Sequence, residues 1–138
     1  MPKQAKGGFE VKRMPQEALD AGDGAQIGHV RFDKRFHGPL EATSVVHMLA
    51  VGTDVPGSAA YVAIERIVGT LDGRAGSFLA QHSGTLDRGR PSLSVTVVPD
   101  SGTGELAGLR GRMAIDIVEG AHFYAFDYGF GDPAPGRD

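Results

Sequence analysis

The chain has neither cysteine nor tryptophan. Without thiols there is no disulfide, no thiolate-held zinc, no iron–sulfur cluster and no cysteine nucleophile. No stretch approaches the roughly 18 apolar residues of a spanning helix. The basic residues of Met1–Glu10 lead into no apolar run of the kind a secretory signal needs. A cytoplasmic protein that does not engage membranes is therefore expected. An excess of one charge is missing as well, since 14 Lys and Arg stand against 17 Asp and Glu, scattered along the chain, for a net charge of −3. That excludes the basic face on which nucleic-acid binding depends.

What abounds is glycine, with 21 residues, about twice the usual share of roughly 7%. The glycines are spread along the chain, which excludes a collagen period and a flexible linker and marks the corners of something regular. Between them the apolar residues alternate with period two, the pattern of half-buried strands. Strands are predicted at Phe9–Arg13, Ile27–His37, Leu40–Val51, Tyr61–Leu71, Arg74–Leu86, Ser92–Val98, Gly111–Val118 and Phe123–Phe130, with one short helix at Gln16–Ala21. Asp72 and Gly73 form a two-residue connection suited to a type I′ turn, in which both residues need positive φ. A chain of 138 residues makes one domain, expected over residues 7–130, with residues 1–6 and 131–138 as flexible tails. Strands of this number must protect their edges, and closing into a barrel removes edges altogether. The expected fold is all-β, an eight-stranded antiparallel β-barrel, with a two-sheet sandwich as its rival.

Several long motifs carry a resemblance. Glu65-Arg66-Ile67-Val68-Gly69-Thr70-Leu71-Asp72-Gly73-Arg74-Ala75-Gly76-Ser77-Phe78, then Gln81-His82-Ser83-Gly84-Thr85, then Ser101-Gly102-Thr103-Gly104-Glu105-Leu106-Ala107-Gly108-Leu109-Arg110-Gly111, occur in order between Phe9-Glu10-Val11-Lys12 and the Tyr124–Phe130 strand. Together they resemble a family of small bacterial proteins of unknown function related to the allene oxide cyclase barrel. The resemblance spans about residues 7 to 130 and implies an eight-stranded antiparallel barrel whose wider kin include cyclases and dirigent proteins. It departs at Met14 and Pro15, where the family often has tryptophan.

The hairpin fixes the register of its two strands, pairing Leu71 with Arg74 and Glu65 with Ala80, one diagonal step from His82. Tyr61, Ala63, Glu65, Ile67, Phe78, Ala80 and His82 then share one face, and Val62, Ile64, Arg66, Val68, Ser77, Leu79 and Gln81 the other. Diagonal neighbours are within reach of long side chains. Glu65 with His82 is thus a candidate proton-transfer pair, set against a plain cross-strand ion pair on the outer wall and against Arg66 with Gln81 on the opposite face. With the Glu65 face inside, Tyr61 and Phe78, joined by Tyr124, Phe126 and Tyr128 of the last strand, would give a ligand aromatic walls.

Other chemistries find little support. Gly102-Thr103-Gly104-Glu105-Leu106-Ala107-Gly108 has its third glycine one residue late for a dinucleotide loop and lacks the βαβ setting, so no cofactor is expected. It reads as a corner whose Leu106 and Leu109 plug the barrel end. The five histidines, His29, His37, His47, His82 and His122, show no metal-binding spacing, so no metal is expected. Ser83 and His82, adjacent on a strand, face apart, which disfavours a serine hydrolase. The reading that remains is a barrel that binds an apolar small molecule in its lumen, extending to a cofactor-free isomerase or cyclase. The alternative is a non-catalytic carrier or a structural oligomer with a filled core. An outer row of Val62, Ile64, Val68 and Leu79 predicts a homodimer, with a trimer as the less favoured assembly.

Overall fold

Three pairs of the form X–Gly set corners of the fold: Asp72-Gly73 (φ 48° and 83°), Arg88-Gly89 (48° and 88°) and Glu119-Gly120 (50° and 83°). Positive φ at both positions is the signature of the type I′ turn, whose twist matches that of the strands it joins. In the computed structural model, which describes residues 3–131 and, within 15–21, the backbone alone, these turns belong to a closed antiparallel barrel of eight strands in sequence order. The strands are β1 (Lys3–Gly22), β2 (Ala25–Phe36), β3 (Leu40–Thr53), β4 (Ala59–Leu71), β5 (Arg74–Asp87), β6 (Arg90–Val97), β7 (Leu109–Val118) and β8 (Ala121–Phe130). Every strand expected from the alternation is present. Leu71 pairs with Arg74 and Glu65 with Ala80, as the hairpin required.

Two expectations at the N-terminal end are corrected. Gln16–Ala21 is not helical: its backbone continues β1, with breaks in register between Pro15 and Ala18 and between Ala18 and Asp20. A six-residue helix is marginal by itself, whereas the extended path pairs with the edge of β2 as far as Gly22 opposite Ala25. The irregularity begins at Pro15, which has no N–H for a ladder. The leading segment is not a loose tail either, because Lys3–Phe9 pairs with Tyr128–His122 of β8 and closes the barrel. Residues 1–2 and 132–138, the rest of the expected tails, lie outside the described residues.

The barrel differs at its two ends. At one end Phe36, Leu40, Ile67, Leu71, Phe78 and Phe126 are fully buried, and a single 3₁₀ turn, Gly104–Leu106, drives Leu106 in beside Leu109. The glycine-rich segment is thus a plug, as its sequence suggested. It is also a strap. β6 pairs with β5 only from Ala80 onward, and the backbone of β5 before that point is satisfied by the loop. Thr103 N–H donates to Ser77 O at 2.8 Å, Ser77 N–H to Thr103 Oγ1 at 3.0 Å, Leu79 N–H to Ser101 Oγ at 3.0 Å and Ala75 N–H to Glu105 Oε1 at 3.0 Å. Tyr124 donates to His37 O at 2.8 Å and accepts from Leu40 N–H at 3.1 Å, while Tyr128 donates to the Asp72 carboxylate. Burial and that carboxylate push the Tyr128 phenol up to about 12. β6 and β7 meet in register at one pair, Thr96 with Arg112, where β6 ends and β7 begins, and at the other end of the barrel the lumen-side Leu86 and Leu93 are exposed.

The Asp72-Gly73 turn offers a clean test. A Cβ on Gly73 would meet nothing within 4 Å, so the main cost of replacing it with valine is that of holding φ at 83°. Gly73→Val is expected to lower stability by about 1–2 kcal/mol, the left-handed penalty for a residue with Cβ, read from the midpoint of urea unfolding at unchanged slope. An unaltered midpoint would mean that the turn has another conformation.

Candidate functional site

Alternation places Lys34 of β2 in the same inward row as Val30 and Phe36, and Ser44 of β3 between the buried Ala42 and Val46. On β4 and β5 the inward rows are Ala63, Glu65, Ile67 and Phe78, Ala80, His82, all buried. The Glu65 face is therefore the lumen. Ser83, next to His82, points out to solvent. Lys34 lies opposite Ser44, while Ser44 is one diagonal step from Glu65 and Glu65 one from His82. Because barrel strands tilt, such a diagonal runs around the lumen, and four adjacent strands contribute to one polar layer.

Within that layer every group has a partner. Glu65, wholly buried, accepts at Oε2 from Ser44 Oγ at 2.5 Å and at Oε1 from His82 Nε2 at 2.7 Å and Lys34 Nζ at 3.4 Å. The Lys34 ammonium also sits 5.0 Å from the centre of the Phe9 ring and 5.7 Å from that of Phe36, where the ring faces favour a cation. Burial alone would push the Glu65 carboxyl up. The His82 hydrogen bond, the Lys34 charge and the Ser44 hydroxyl, joined by the His82 charge when that ring is protonated, outweigh it and hold the group below its ordinary 4.5. At the outer end the Tyr61 hydroxyl lies 3.5 Å from His82 Nδ1. Burial and the Glu65 charge push that phenol up, so it stays protonated.

Tyr61 is half-buried and closes the floor of a cleft of about 350 Å³ at the open end of the barrel. Its ring lies over Gly84, the residue opposite it, where a Cβ would collide with the ring. Met48, Ala50, Leu86, Pro91 and Leu93 contribute to the walls. The structure thus brings Glu65, His82 and Tyr61 together. It sets the other aromatic candidates apart from them, packed in the closed half of the lumen: Phe78 stacks on Phe126 at 5.8 Å, Phe126 on Tyr128 at 5.3 Å, and Tyr124 meets Phe36 edge-on. Arg66 is exposed on the outer wall. Among the described residues no cluster of His, Asp and Glu is arranged to hold a metal ion, and no helix is long and apolar enough to cross a membrane. Sequence reasoning missed Lys34 and Ser44. The signal for Lys34 was a single charge in an otherwise apolar row.

Comparison with known proteins adds a family and no chemistry. A family profile described as a protein of unknown function (DUF3224) matches residues 5–128. The chain is similar to a protein of solved structure, described as a protein with unknown function from the DUF3224 family from Shewanella oneidensis MR-1, at 47% sequence identity and a TM-score of 0.91, covering 96% of this chain and 100% of that one. No curated protein matches the chain.

Proposed function

The chain belongs to the DUF3224 family, and we propose that it binds an apolar small molecule in the mouth of its barrel and moves a proton on it without a cofactor, as an isomerase or cyclase does. The observation that carries this reading is the buried string Lys34–Glu65–His82, which ends at Tyr61 on the floor of the apolar cleft. Taking a carboxylate and an ammonium out of water is costly, and apolar residues of similar volume usually serve a core at least as well. A charged layer aimed at a cleft is better explained by work done at that cleft. A barrel that folds a flexible substrate into a reactive shape needs few catalytic groups. The kinship with allene oxide cyclase barrels suggested by the sequence motifs is part of this proposal, as an analogy of fold.

One observation favours the filled-barrel reading. Among the described residues every buried side-chain nitrogen and oxygen has a hydrogen-bond partner, as a purely structural polar layer also requires. Binding separates the two. Titration with the neutral apolar fluorophore N-phenyl-1-naphthylamine is expected to show saturable binding. Ala50→Phe, which narrows the cleft, should weaken it by about tenfold or more, some 1.4 kcal/mol. An absence of saturable binding would leave the structural reading.

We further propose that a second copy of the chain covers the outer wall. Val62, Ile64 and Val68 are 55%, 44% and 50% exposed in a row along β4, and a two-fold axis through that wall would set the row against itself. Sedimentation at micromolar concentration should give a dimer, and a monomer would refute the pairing.

A further inference from the structure

The hydrogen bonds of the buried string point one way, and that direction limits what can dock at its outer end. An ionised carboxylate only accepts, so Nε2 of His82, 2.7 Å from Glu65 Oε1, carries a hydrogen. In the neutral ring Nδ1 then holds a lone pair, and it faces the Tyr61 hydroxyl. With the ring neutral, Tyr61 donates inward. What it presents outward to the cleft is oxygen lone-pair density. The inward-facing side chains around it, Met48, Ala50, Leu86, Pro91 and Leu93, offer no strong hydrogen-bonding group and no charge.

We propose that the cleft takes a neutral apolar alcohol or phenol, held by its hydroxyl donating to Tyr61 Oη and by its hydrocarbon part against those walls. This deepens the reading above and rests on the mouth being the binding site. A ketone or ether of the same size meets acceptor with acceptor. To bind, it must turn the Tyr61 hydroxyl away from His82 and leave the buried Nδ1 without a donor, which costs the desolvation of that group. A carboxylate ligand finds no cation among those side chains and is excluded more strongly.

The same polarity gives a proton its route. When the ligand hydroxyl proton passes to Tyr61 Oη, the Tyr61 proton passes to His82 Nδ1. The ligand is left as an oxyanion and the imidazole as an imidazolium beside the Glu65 carboxylate. That oxyanion can attack an electrophilic carbon of the same molecule, and the electron pair displaced from that carbon takes the proton back through Tyr61. Ring closure of this kind balances without oxidant, reductant or second reactant.

The test compares 2-naphthol with 2-methoxynaphthalene, which has nearly the same shape but no donor, by fluorescence titration of the whole protein. 2-Naphthol is expected to bind about tenfold or more tightly, and Tyr61→Phe should erase that preference while leaving the affinity for the methoxy compound in place. Should Tyr61→Phe fail to fold, the comparison in the unaltered protein still decides, together with ¹⁵N nuclear magnetic resonance of His82, expected to show an unprotonated Nδ1. Equal affinities in the unaltered protein, a preference that survives Tyr61→Phe, or a protonated Nδ1 with unprotonated Nε2 would each overturn the donor inference while the mouth remains a binding site. If neither compound binds, the mouth reading falls with it.

Discussion

Glu65→Gln is expected to cost the fold about 3–5 kcal/mol at neutral pH although the side chain keeps its shape, because it strands the ammonium of Lys34 in the lumen. Lys34 is nine-tenths buried, and its salt bridge to Glu65, at 3.4 Å, is the one ion pair it makes among the described residues. The amide oxygen can still accept from His82, and the amide nitrogen can donate to the Ser44 hydroxyl, so hydrogen bonding is largely kept and the change isolates charge. Lys34→Met in the same chain should restore most of the loss, since an apolar residue of similar length removes the uncompensated cation. The coupling between the two sites follows from a double-mutant cycle in urea. The sign with pH follows from the carboxyl being held below its ordinary value. Its contribution is complete above that value and is lost as pH falls through the lowered folded value, so wild type and Glu65→Gln should converge in acid. A loss below about 1 kcal/mol at neutral pH would show that water reaches the pair.

The barrel was legible because its signals are local. Period two and the Asp72-Gly73 turn gave the strands and the register of β4 on β5, and hence Glu65 beside His82. The inward face was harder to read. The outer row of β4, Val62, Ile64, Arg66 and Val68, carries one charge among aliphatic residues just as the inner row of Tyr61, Ala63, Glu65 and Ile67 does, so hydrophobicity did not separate the faces, and barrel closure settles which row is enclosed. Lys34 and Ser44 reach Glu65 across 31 and 21 residues, and their arrival depends on registers set by loops without a two-residue turn. The strap of Ser101 and Thr103 on β5 is long-range in the same way, since it becomes necessary only where β6 leaves β5. Gln16–Ala21 misled because six residues with glutamate, leucine and alanine carry helical propensity, while the demand that overrode it, a partner for β2, lies outside the segment.

The division of the lumen into a packed half and an open mouth sets the second large effect. Phe78→Ala is expected to cost about 3–5 kcal/mol, the usual range for removing a buried phenylalanine. Phe78 is 1% exposed, lies opposite Ile67 and stacks on Phe126 with the rings only 9° apart. The surroundings have little freedom to collapse into the space, because the strap from Ser101 to Glu105 fixes β5 on one side of it and the closed ladder of β4 fixes the other. Yet the polar layer of Glu65 and His82 separates this half from the cleft floored by Tyr61. Affinity for N-phenyl-1-naphthylamine in the folded variant should therefore stay within about threefold of wild type, well under 1.4 kcal/mol, while the unfolding midpoint drops sharply. A tenfold loss of affinity would instead place Phe78 in the ligand's walls and move the site below the polar layer. A small stability loss with unchanged affinity would mean that the closed half is not packed around this ring.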